Sequence, residues 1–170
     1  PLYARFAGGK GAAKKLFQHI LKPAVTSLGT CSSIATIPAN MEAAEEIGIP
    51  RDVSDIVLPL GATMHMDGSV FSAILKISFL FGFFGMPFEG IGTYVTALMI
   101  AIFSGIAMSG VAGGGFVGEM VIVSLFFPEQ MGIAFPVIAT IGALVDPPAT
   151  CINASGDTVA SMIVARFVEG

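Results

Sequence analysis

Between residues 56 and 165 the chain carries only seven charged side chains: Asp67, Lys76, Glu89, Glu119, Glu129, Asp146 and Asp157. Six are acids and one is a base. A soluble fold needs a charged surface to cover its apolar interior, and a stretch this long with so little charge cannot supply one. Over all 170 residues, 54% are hydrophobic and 12% charged, about half the charged fraction of an average soluble domain. The apolar content also excludes intrinsic disorder. Eight Lys+Arg against twelve Asp+Glu, a net charge of -4, argue against nucleic acid as a partner. The class that remains is a polytopic helical membrane protein, with the lipid bilayer as its surroundings. A charge at bilayer depth costs roughly 2.5–3.5 kcal/mol on the mildest scale. Acids kept there imply bound cations or a polar cavity.

The first 22 residues hold Arg5, Lys10, Lys14, Lys15 and Lys22 and no acid, whereas residues 42–55 are mainly acidic. Cys31 and Cys151 lie in apolar surroundings with neither metal-ligand nor disulfide-framework spacing, and read as small buried thiols. The chain opens on Pro1 with a basic stretch and no cleavage-site pattern, so it reads as part of a longer polypeptide rather than as a signal peptide.

Several segments fall short of the roughly 20 apolar residues that span a bilayer. Residues 11–29 read as a basic-ended amphipathic helix with a bend at Pro23. The polar run TCSSIAT follows, then a helix over 38–48 with Pro38 in its first turn and Gly48 at its end. Two short segments around a serine tip form either a re-entrant hairpin or an ordinary helix pair with a serine turn. Residues 52–86 read as one span interrupted by HMDGS at 65–69, and broken backbone is tolerated at membrane depth only where protein or a cavity satisfies it. The charge-free run from Gly90 to Gly118 holds a helix to about Ala107, a glycine-rich tip and a return from Phe116 to about Phe127. A small-residue packing face accounts poorly for Gly113, Gly114 and Gly115 in succession. Residues 131–166 form the last span, apolar to Val145 and then polar, with Pro147 and Pro148 expected to distort it. Asp146, Thr150, Asn153 and Asp157 share one helix face by their spacing.

These pieces repeat: a tip, then a span with an acid near its middle, twice over. Interrupted spans at corresponding positions in two halves point to the binding site of a secondary transporter. The fold class expected is an all-α membrane protein. It has two re-entrant helical hairpins and two transmembrane helices, one of them broken, in an inverted repeat.

The segments TCSSIATIP, LPLGATMHMDGS, GVAGGG and DPPATCINASGD, in this order, resemble the signature segments of the sodium:dicarboxylate symporter family, the glutamate and neutral amino-acid transporters. The family's usual forms are a serine-rich tip, NMDGT, a GVPGAG-like tip and a D-x-x-R-T-x-x-N-x-x-x-D helix. The resemblance covers roughly residues 20–168 and implies a transport domain over 16–168. Its parts are hairpin one (16–48), a broken helix (52–86), hairpin two (90–127) and a last helix (131–166). Residues 1–15 would end a preceding helix and its loop. The scaffold helices of the family's homotrimer would lie outside the chain, and the location implied is the cell membrane, as a multi-pass protein.

The same resemblance assigns roles. Ser32 and Ser33 match the tip that meets the substrate's main-chain carboxylate, which suits a helix end. On the residues alone, two serines capping helix 38–48 is the plainer account. Asp146 matches the partner of the substrate's amino group; its alternative is a structural acid paired with Lys76, the sole base between 56 and 165. Thr150 and Asn153 line the site, and Val111 and Gly115 match the lid tip. Sodium ions, the coupling ions, would be held at one site by Gly61, His65, Asn153 and Asp157. Carbonyls of Thr63, Gly105, Ile106 and Met108 would make a second site, and Asp67 a third. Hard cations prefer such oxygens.

The departures decide the substrate. Ala149 stands where the family's arginine pairs with an acidic side chain, so a second substrate carboxylate would be buried unpaired at a cost of several kcal/mol. Together with Asp146 this favours a small neutral amino acid. An acidic amino acid or dicarboxylate, and a fragment with no activity of its own, are the alternatives. His65 replaces an amide and either hydrogen-bonds the broken backbone or takes up a proton. Glu119 matches no family role. A hydrolase built on Ser33, His65 and Asp67 has the residue types but no G-x-S-x-G elbow, so the chain is not expected to be an enzyme.

Overall fold

The structure is a computed structural model and describes residues 1–169. Those residues are all-helical: α1 (Leu2–Gly8), α2 (Ala12–His19), α3 (Leu21–Thr30), α4 (Ser33–Ile47), α5 (Arg51–Met64), α6 (Asp67–Phe83), α7 (Ile91–Met108), α8 (Gly114–Phe126), a 3-10 turn (Pro128–Gln130) and α9 (Met131–Glu169). Three stretches are long and apolar enough to cross a bilayer: Arg51–Phe83, Ile91–Met108 and Pro128–Val168.

The helix boundaries follow local chemistry. Cys31 takes a left-handed conformation (φ 49°) and ends α3. Extended Ser32 then caps α4, its Oγ accepting from the Ala35 N–H at 3.1 Å. That cap starts α4 five residues ahead of Pro38, which the sequence reading had placed in the first turn. Pro38 is accommodated inside the helix, at the cost of one backbone bond. The amphipathic segment 11–29 divides into α2 and α3, with the junction at Ile20 rather than Pro23. The span 52–86 divides as expected: α5 ends at Met64, His65 is extended, and α6 begins at Asp67. α8 returns two residues earlier than expected, at Gly114. Pro147 and Pro148 do not end α9, which runs through both and Pro136 as one helix.

α9 is the central element. α3 to α6 and α8 pack on it, as does α1. α3 packs on α4 and α7 on α8, and their linking turns meet: the Ile34 N–H donates to the Gly110 carbonyl at 3.2 Å, and Ser32 Oγ donates to the same oxygen at 2.9 Å. Two apolar clusters flank α9. One joins α6, α7, α8 and the start of α9 around Ile77, Leu80, Ile122, Phe127 and Ile138. The other joins α1, α2, α4, α5 and the far end of α9 around Leu58, Met162 and Ala165. The polar face from Asp146 to Asp157 lies between them along the chain. The outer surface stays apolar, with Phe71, Leu75, Ile91 and Val95 exposed. Cys31 and Cys151 are free thiols, partly rather than fully buried.

Phe127 is fully buried and meets Phe81 edge-on, with ring centroids 5.4 Å apart. Phe127→Ala is expected to lower stability by about 3–5 kcal/mol, while Phe79→Ala, on an exposed ring, changes it little. Chemical unfolding of the full-length protein in detergent distinguishes the two.

Candidate functional site

A cavity of about 200 Å³ opens where the two turns meet α9. Cys31 and Ser33 come from the first turn, Gly110, Val111 and Gly113 to Phe116 from the second, and Asp146, Thr150 and Asn153 from α9. Of the residues expected at the substrate, Ser33, Val111, Gly115, Asp146, Thr150 and Asn153 thus line one space. Ser32 does not line it; it serves as the cap and as the link to Gly110. Ala149 is buried but lies off the cavity wall. Among the described residues the buried Ser33 Oγ has no hydrogen-bond partner; it lies at the N-terminus of α4, where free N–H groups and the helix dipole favour an anion.

Sequence reasoning left Glu119 without a role and offered Lys76 only as an alternative partner for Asp146. The structure joins all three. Lys76 is fully buried, and its Nζ donates to Glu119 Oε1 at 2.8 Å and to Asp146 Oδ1 at 2.9 Å. Asp146 Oδ2 lies against Gly115, where a Cβ would overlap it. Likewise a Cβ on Gly142 would strike Glu119, and one on Gly156 would strike His65. The sequence held a signal for this cluster: one lysine and two acids isolated in apolar helices must find one another.

Asn153 repairs the break between α5 and α6. Its Oδ1 accepts from the N–H groups of Gly68 at 2.8 Å and Ser69 at 3.3 Å, and its Nδ2 donates to Ser69 Oγ at 2.9 Å. The first N–H groups of α6 lack helical partners, and this side chain supplies them.

Of the residues expected at sodium, Gly61 and His65 meet Asp157, one turn beyond Asn153 on α9, while Ile106 is exposed and Met108 lines the cavity at Asp146. Asp157 is fully buried; His65 Nδ1 lies 3.1 Å from its Oδ1, and its Oδ2 has no hydrogen-bond partner among the described residues. Gly61 sits against Asp157 so closely that a Cβ would fall 2.6 Å from Oδ1. Gly105 packs on Met66 and Val70 beside the break, with Ile106 and Met108 in the same last turn of α7. Thr63 donates its hydroxyl to the Leu60 carbonyl, and the Gly61 carbonyl accepts from the His65 N–H at 2.8 Å. Asp67 is exposed, bonds the Gly68 N–H at 2.9 Å and lies 3.7 Å from His65. Among the described residues no three His, Cys, Asp or Glu side chains converge as a metal cage. An orphan carboxylate oxygen beside broken helix ends suits a hard monovalent cation held largely by oxygens.

The model of the sodium:dicarboxylate symporter family matches residues 1–167. The chain belongs to that family. Among its relatives, a neutral amino acid transporter B(0) from Rattus norvegicus is 30% identical over 151 residues, 88% of this chain and 27% of that protein. A neutral amino acid transporter A from Homo sapiens is 30% identical over 149 residues, 85% of this chain and 27% of that protein. A proton/sodium-glutamate symport protein from Bacillus subtilis (strain 168) is 26% identical over 153 residues, 90% of this chain and 35% of that protein. The chain therefore spans between about a quarter and a third of the length of these relatives.

Asn153→Ala removes both acceptor bonds at the break without touching the apolar clusters. Stability is expected to fall by about 1–3 kcal/mol, the cost of leaving buried donors unpaired. Amide hydrogen exchange should accelerate at Gly68 and Ser69 ahead of the rest of α6; unchanged protection there would show that the break is held by something else.

Proposed function

We propose that this symporter-family chain supplies the substrate- and sodium-binding transport domain of a sodium-coupled carrier of a small neutral amino acid. The observation that carries the reading is the convergence of Asp146, Thr150 and Asn153 on one cavity walled by both turns. In this reading α3–α4 and α7–α8 are re-entrant hairpins, and the two halves form an inverted repeat whose broken backbone faces the site. The second turn, with Val111 and Gly115, acts as the lid.

A zwitterionic amino acid fits the two ends of the cavity. Its ammonium group meets Asp146, and its carboxylate meets the Ser33 hydroxyl at the α4 N-terminus, where a buried donor otherwise has no partner. A second substrate carboxylate would need its own cation. Ala149 supplies none, and the charge of Lys76 is already shared between two acids. This argument favours a neutral substrate over the glutamate of the Bacillus relative. Sodium, as co-substrate, is held by Asp157 with the Gly61 backbone, Asn153 and His65; by the carbonyls of Thr63, Gly105, Ile106 and Met108; and by Asp67. The exposed apolar side chains of α6 and α7 meet lipid and the scaffold helices of a homotrimer in the cell membrane.

Uptake by the full-length protein in liposomes tests the reading. A small neutral amino acid should accumulate only with an inward sodium gradient, and glutamate should compete weakly. Asp146→Asn should weaken apparent affinity by about thirtyfold or more, since losing a buried charge partner costs about 2–5 kcal/mol. Accumulation that ignores sodium would overturn the coupling, and uptake of glutamate in preference would overturn the substrate.

A further inference from the structure

We propose that Glu119 cancels the charge of Lys76, so that the substrate site keeps a single negative charge, that of Asp146, and accepts one ammonium group at Oδ2. The inference rests on the reading of Asp146 as the ammonium partner and adds what governs it.

Lys76, on α6, bonds Glu119 of α8 and Asp146 of α9 at once, so three elements are tied at one nitrogen. Lys76 and Glu119 are buried, while the Asp146 side chain keeps 26% of its surface exposed. Asp146 is thus the member of the trio that turns toward the cavity, and Glu119 stands in the same wall. The Lys76 bond takes Oδ1 and fixes the carboxylate, leaving Oδ2 against Gly115 at the lid. Two carboxylates and one ammonium sum to one negative charge. A monocation arriving at Oδ2 makes the cluster neutral, the only net charge that a low-dielectric site holds without further compensation. A site built on Asp146 alone would have the same sum. The pair Lys76–Glu119 therefore adds no net charge, provided that both members are present. Losing Glu119 by itself makes the cluster neutral before the ligand arrives, and an ammonium ligand would then leave it positive.

The test measures ligand-dependent shifts of the unfolding midpoint for the full-length protein in detergent at fixed sodium. Three ligands are used: a small neutral amino acid, the matching α-hydroxy acid and ethylammonium. The unsubstituted protein should bind the amino acid and, more weakly, ethylammonium, but not the hydroxy acid. Glu119→Gln should weaken both amine ligands by about tenfold or more, because a charge has been removed close to the ligand's own. The double variant Lys76→Met with Glu119→Gln restores the single negative charge and should recover affinity to within about threefold, even where its ligand-free midpoint is lower. A merely structural ion pair would give the opposite pattern, the double variant binding no better than Glu119→Gln. Unchanged affinity in Glu119→Gln, or no recovery in the double variant, overturns the inference. If ethylammonium follows the expected order while amino acids do not bind, the amino-acid reading falls and the charge rule stands. If neither amine binds the unsubstituted protein, both fall.

Discussion

The fold is organised by the need to bury one polar helix face inside an apolar assembly. Asp146, Thr150, Asn153 and Asp157 occupy one side of α9, and neither lipid nor an apolar partner helix can satisfy them. What covers them is partly the broken backbone and partly side chains: the start of α6 bonds Asn153, His65 meets Asp157, and Lys76 meets Asp146. Interrupted helices expose N–H and C=O groups, and these are what a stripe of carboxylates and amides requires. Each defect is met by the other. Asn153 bonding the start of α6 is the plainest case, since one side chain and two backbone amides are satisfied together.

The two ends of this polar zone differ in electrostatic character. Toward the start of α9 a fixed lysine is shared by two acids. Toward its end Asp157 has a histidine on one oxygen and nothing on the other. In the proposed reading, the two acids around one lysine take an organic ammonium and the unfilled acceptor takes a small metal cation. The step along α9 from Asp146 to Asp157 separates them by three helical turns.

Much of this was legible in the sequence because the signals were coarse. Scarce charge declared the membrane class, and HMDGS declared the break between α5 and α6. The shared face of Asp146, Thr150, Asn153 and Asp157 followed from spacing. Pro38 is the stronger local cue for the start of α4, yet the bond from the Ala35 N–H to Ser32 Oγ fixes the boundary five residues earlier. The prolines of α9 were over-weighted for a related reason: tertiary packing around α9 retains a helix that propensity alone would interrupt. Glu119 stayed unassigned because its partners come from α6 and α9, far away in sequence.

The glycines set against the polar groups have a consequence for how such a site changes over time. Asp146 faces Gly115, Glu119 faces Gly142, Asp157 faces Gly61 and His65 faces Gly156. Each acid or imidazole thus rests on bare main chain on one side, and no room is left there for a side chain. Trimming cannot widen that side, because the neighbour is already a glycine. A change there has to come from exchanging the charged group itself, together with its partners.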